Sequence, residues 1–172
     1  MGPVGHSLTG LAIGCAVLPE QLSSRSKVWL LAVFVVLANA PDLPCSAWGH
    51  ERYEISHSLL VTTIGVACLE IFLQWKSQAW PTITPPVAVG MAITWYSHLL
   101  LDTFYNHGKG LAIYWPWSDA RLALPISWFD TLEPQQIISW HNASVCAVEA
   151  TVYGGLLALV LGGRRIVSRR GR

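Results

Sequence analysis

Apolar residues in this chain gather into five blocks, roughly residues 7–18, 28–41, 58–75, 85–101 and 143–163, separated by short polar stretches and one long interval. The third and fifth blocks approach the ~20 residues an α-helix needs to cross a bilayer. The first two are shorter and read either as buried core helices or as helices tilted against their neighbours. Block ends are marked by residues that stop or start helices: Pro19 after the first, Pro41 and Pro44 after the second, Ser56 at the N-cap side of the third, Pro85 and Pro86 at the head of the fourth. Between Thr103 and Trp140 the composition turns to Gly, Pro, Trp and Asp with no sustained helical period. The pattern predicts an all-α fold: a membrane-embedded bundle of about five helices forming one domain over 1–163, an ordered extramembrane loop at 103–142, and a basic cytoplasmic tail at 164–172.

Composition strengthens the membrane reading. The chain is 52% hydrophobic and only 12% charged, with nine Trp in 172 residues. Trp75, Trp80, Trp95, Trp115, Trp117, Trp128 and Trp140 fall near block ends and in the long loop, where interfacial anchors belong. A net charge of +1 and a positive charge concentrated in Arg164, Arg165, Arg169, Arg170 and Arg172 exclude the basic patch that nucleic acid requires. Cys15, Cys45, Cys68 and Cys146 form no CxxC pair, so no disulfide framework is implied. No basic stretch precedes the first apolar block, which argues against a cleaved signal peptide.

Lys and Arg are unequally shared between alternate connections. With five spans, Arg25, Lys27, Lys76 and the five tail arginines fall on one side, and Arg52, Lys109 and Arg121 on the other. This bias puts the C-terminus in the cytoplasm. The same alternation gathers the polar block ends carrying His6, Asp42, His57, His98 with Asp102, and His141 on the opposite, extracytoplasmic side. A chain this poor in charge gathers imidazoles and carboxylates at helix mouths when something cationic binds there, and neutral imidazole with carboxylate is a zinc-type ligand set. His98 and Asp102, four apart, stack on one helix face and can clasp one ion. Each residue also has a plainer reading: Ser56-His57 as a helix cap facing water, Asp42 as a turn-former between prolines, His6 as a solvent-exposed terminal residue. Taken together they predict a shared metal site.

The order His6, Asn39-Ala40-Pro41-Asp42, Ser56-His57-Ser58-Leu59, His98-Leu99-Leu100-Leu101-Asp102 and Trp115-Pro116 resembles the YdjM-like inner-membrane metal-dependent hydrolases over roughly residues 1–130. That family is distantly similar to zinc-dependent phospholipase C. The resemblance implies ligand roles for His6, Asp42, His57, His98 and Asp102, and a place in a bacterial inner membrane. It also shows two departures: Pro44 stands where the family often has a second Asp, and Arg52-Tyr53-Glu54 where it often has His-Arg-Gly, with His50 a stand-in for the missing imidazole.

A divalent metal, zinc first, with an open position activates water without a protein nucleophile, and one to three ions are expected. Asp102 is the natural bridge between two ions, and His107 with His141 would complete a second site unless they are loop histidines satisfied by backbone. Glu54 or Glu51 is the candidate general base, while Arg52 and Lys109 are placed to hold an anionic oxygen. Glu70 and Glu149 lie in apolar blocks; for Glu149 a helix-helix hydrogen bond is the simpler role. Gly108-Lys109-Gly110 lacks the remainder of a phosphate loop, and Asn142-Ala143-Ser144 is a chance-level sequon. The expected partners are the bilayer and a small-molecule or lipid substrate, with a phosphoester as the bond cleaved. The alternative is a non-catalytic membrane protein whose metal is structural or transported. Oligomeric state is not legible in the sequence.

Overall fold

In the computed structural model, residues 2–43, 55–76, 78–105, 110–124, 128–133 and 135–170 are described. Among them are five α-helices and no strand longer than an isolated bridge: α1 (Pro3–Val17), α2 (Ser24–Ala38), α3 (Leu59–Lys76), α4 (Pro85–Asp102) and α5 (Trp140–Arg170), with a 3-10 turn at Ala40–Asp42. The expected all-helical architecture is therefore the observed one.

Local chemistry sets the helix ends. Pro3 occupies the first turn of α1, where its missing N–H has no partner to lose. Leu18, held extended ahead of Pro19, stops that helix. Ser23 caps α2 by accepting from the Ser26 amide at 3.1 Å. At α3 the cap is Ser58, which accepts from the Val61 amide at 3.2 Å, and not Ser56 as the sequence suggested. Helix α5 starts three residues earlier than the apolar block and runs on to Arg170, so most of the expected tail is helix. Arginine is a good helix former, and cations at a C-terminus face the negative end of the helix dipole.

The apolar core is centred on α2 and α4, where Leu30, Phe34, Val87 and Met91 are almost fully buried. Helix α1 lies close against α2 at Gly10, where a Cβ would meet the Phe34 carbonyl at 2.7 Å and Ala38 Cβ at 2.9 Å. Trp95 packs on Gly65 of α3, making it a helix-packing residue instead of the interfacial anchor expected. The loop after α4 is ordered in its described parts: Leu111 and Leu122 exchange two 2.8 Å backbone bonds, and the buried Asn142 side chain binds the Glu133 amide and carbonyl and the Gln136 carbonyl. Cys15, Cys68 and Cys146 are free thiols.

Helices α3 and α5 are long and apolar enough to cross a membrane. Both expose large apolar side chains, among them Ile71 at 67% and Leu159 at 75%. Contiguous exposure of this kind is unfavourable in water and ordinary in lipid. The close α1–α2 approach yields a prediction. Gly10→Val should lower the thermal midpoint by the equivalent of about 1–3 kcal/mol, as overpacking does. Gly154→Ala, in open space on α5, should leave it unchanged or raised; both are read by thermal unfolding in detergent.

Candidate metal centre

Four segments deliver donors to one place. His6 comes from the first turns of α1, Asp42 from the 3-10 turn after α2, His57 from the turn before α3, and His98 with Asp102 from the last turns of α4. His6, His57, His98 and Asp102 are all at least 98% buried, whereas the Asp42 side chain is 32% exposed.

The imidazole Nε2 atoms point inward at the carboxylates. His6 Nε2 lies 3.2 Å from Asp102 Oδ1. His57 Nε2 and His98 Nε2 lie 3.3 and 3.4 Å from Asp102 Oδ2. Asp42 Oδ1 is 3.4 Å from His57 Nε2 and 3.7 Å from His98 Nε2, and these two nitrogens are 3.0 Å apart. Two donor groups result, His6–His98–Asp102 and Asp42–His57–His98, each gathered within 4.8 Å. Asp102 presents one oxygen to His6 and the other to His57 and His98, as a bridging carboxylate would.

These spacings suit a cation. Ligands at 2.0–2.1 Å from a tetrahedral zinc are about 3.3 Å from each other, the middle of the observed range. His6 Nδ1 is buried without a hydrogen-bond partner among the described residues, and Nε2, though 3.2 Å from Asp102 Oδ1, makes no hydrogen bond there either, a costly state for buried polar atoms and one that coordination of Nε2 would relieve. The His6 and His98 rings stack with centroids 3.7 Å apart, a geometry that two imidazolium cations would resist and two neutral ligands would accept.

A second layer of contacts aims the donors. His98 Nδ1 is 2.8 Å from the Ala38 carbonyl, which can only accept; Nδ1 therefore carries the proton and Nε2 turns its lone pair inward. Ala38 is the last residue of α2, where helix carbonyls lack partners, so the helix end supplies this acceptor. Ser56 Oγ lies 3.0 Å from His57 Nδ1 and can donate or accept, which fits either protonation state of the ring. Glu149 is 1% exposed and accepts from the Gly2 and Gly5 amides at 2.6 and 2.9 Å. It closes the positive end of α1 one turn from His6, the helix-helix hydrogen bond expected of it. None of these backbone partners has a side-chain signature, so the sequence did not reveal them; the orphaned carbonyls of a helix end were the available clue.

His141 stands apart. Its Nε2 lies 3.0 Å from the Thr131 carbonyl, and it belongs to neither donor group. It joins the loop to α5, the backbone-satisfied role considered as its alternative. Arg52, Glu54, His107 and Lys109, with Glu51 and His50, lie outside the described residues.

Burial opposes charge on His57, but hydrogen bonds to Asp102 and Asp42 outweigh it and raise its pKa from 6.5 to about 9. Burial also opposes charge on Asp42, yet the His57 hydrogen bond and the nearby His98 hold its carboxyl below the ordinary value.

A family model described as YdjM inner membrane protein matches residues 1–165. The inner membrane protein YbcI of Escherichia coli (strain K12) is 28% identical over 131 residues, covering 67% of this chain and 65% of the relative. The chain thus spans just under two thirds of that relative's length. No solved structure matches, and the similarity to zinc-dependent phospholipase C finds no support in these comparisons.

The raised His57 pKa has a testable consequence in chelator-treated, metal-free protein. A folded value above the unfolded one contributes stability that is fully present below pH 6.5 and is lost as pH rises through about 9. The thermal midpoint should fall across that window in the wild type and stay flatter in His57→Gln, as followed by thermal unfolding at a series of pH values.

Proposed function

The chain belongs to the YdjM inner membrane protein family, and on that premise we propose that it is a membrane-bound, metal-dependent hydrolase acting on a phosphoester or related bond of a lipid or lipid-linked substrate. The observation that carries this reading is the convergence of three imidazole nitrogens and two carboxylates, each 3.2–3.4 Å from at least one ligand-type neighbour in the cluster, with four of the five residues buried. His6, His57, His98, Asp42 and Asp102 would hold the metal, with Asp102 shared if two ions bind. A zinc-type ion there supplies Lewis acidity, polarising an ester oxygen and making water a competent nucleophile near neutral pH.

The chain's own residues supply the rest. Ala38 and Ser56 orient His98 and His57, and the surrounding burial keeps bulk water from the donors. Asp42, the exposed member, marks the side from which substrate and water enter. The proposal also includes Glu54 as general base, Arg52 and Lys109 as holders of the anionic oxygen, and an extracytoplasmic site opposite a cytoplasmic C-terminus. Substrate at this position reaches the helix ends from the lipid phase, beside the exposed apolar faces of α3 and α5.

Near-complete burial of four of the five donors favours a second reading, a closed site whose metal is structural or in transit. Metal analysis of purified protein, joined to hydrolysis assays on phospholipid and prenyl-phosphate panels, separates the two. The hydrolase reading expects bound divalent metal and turnover, both lost in His98→Ala. In Asp102→Asn the loss should exceed the roughly 10–100-fold that removal of an orienting partner costs. Metal retained without turnover on any panel would favour the second reading, and absence of metal under all conditions would remove both.

A further inference from the structure

Away from the histidine cluster, α1, α2, α5 and the connection after α1 line a cavity of about 360 Å³ that opens to the surface. His6 lies near the start of α1 and Leu18, on the cavity wall, just past its end; at 1.5 Å per residue that separation is roughly 20 Å. The lining has two characters. Lys27, Arg164 and Arg165 make part of it cationic, against the single carboxylate of Glu20, while Leu18, Leu31 and Leu161 make another part apolar.

Two of the cations are held in place by backbone. Lys27 Nζ donates to the Glu20 carbonyl at 2.7 Å, engaging one of its three donors. Arg164 donates through Nη1 to the Cys15 carbonyl, and its Nη2 lies 3.9 Å from Glu20 Oε1. A guanidinium has five N–H donors in a planar fork suited to phosphate oxygens. Leu161 is itself 42% exposed, so the apolar part of the lining reaches the outer surface of α5.

We propose that this cavity binds an anionic membrane lipid, with Lys27, Arg164 and Arg165 on its phosphate and an acyl chain against Leu31 and Leu161. The shared chemistry is a phosphate anion, and the apolar half of the lining selects the lipid as its source, since free phosphate would leave that half without a partner. The site is separate from the metal centre and does not depend on its function.

Native mass spectrometry of the full-length protein in neutral detergent tests this, with titrations of short-chain phosphatidylglycerol, short-chain phosphatidylcholine and inorganic phosphate. Phosphatidylglycerol should bind at least several-fold more tightly than either alternative. The double variant K27Q/R165Q, which spares the Arg164 tie between α5 and α1, should weaken it by roughly tenfold or more. R169Q, on the same helix but outside the cavity lining, should bind as the wild type does. A thermal melt confirms folding, with exposed R165Q alone as the milder variant should the double one fail to fold. Equal binding of the two lipids, or folded cavity variants that retain wild-type binding, would overturn the proposal. Inorganic phosphate binding as tightly as phosphatidylglycerol would overturn the lipid assignment.

Discussion

A single buried carboxylate organises this fold. Asp102 sits at the end of α4, 2% exposed, with the imidazoles of His6, His57 and His98 around its two oxygens. Removing an ionised carboxylate from water costs several kcal/mol unless opposite charge and hydrogen bonds replace the lost hydration. Satisfying it requires the start of α1, the turn before α3 and the end of α4 to meet at one point, with Asp42 bringing the end of α2 to the same place. The donor cluster is therefore also a packing constraint, because it ties together four chain segments distant in sequence.

The supports around the cluster are mostly backbone. The Ala38 carbonyl fixes His98, and Glu149 fixes the amides at the head of α1. Gly10 lets α1 approach α2 closely enough to bring His6 and Ala38 to neighbouring depths. Donors aimed by rigid helix ends lose little freedom when a cation arrives, which is the condition for tight coordination. The opposite end of the bundle has a different character, with Arg164 and Lys27 held by carbonyls, Arg165 beside them, and apolar walls next to all three. The two ends of α1 thus face two chemistries, neutral and anionic donors suited to a metal at one and cations suited to a phosphate at the other.

Much of this was legible in the sequence, because the signals involved are local. His98 and Asp102 are one helical turn apart, and prolines at 19, 41, 85 and 86 marked helix ends that the structure keeps. His6, Asp42, His57, His98 and Asp102 meet as their placement at block ends implied. What the sequence concealed depends on tertiary context. His141 has the same chemistry as His57 and the same position at a helix start, yet the loop turns the Thr131 carbonyl toward it. Ser56 and Ser58 are indistinguishable as caps until the chain direction decides that Ser58 caps α3 and Ser56 supports His57. The arginine-rich end looked like a tail because the apolar block stops at residue 163, but the helix continues past that point and carries Arg164 to the Cys15 carbonyl.

The central claim is that these convergent donors coordinate a divalent cation directly. X-ray absorption at the metal edge of the protein purified with zinc tests it most closely. Direct coordination predicts a first shell of nitrogen and oxygen at about 2.0–2.1 Å with the outer-shell signature of several imidazoles, diminished in His6→Ala and His98→Ala. A shell of water oxygens without imidazole scattering, or a sulfur shell from the cysteines, would contradict it.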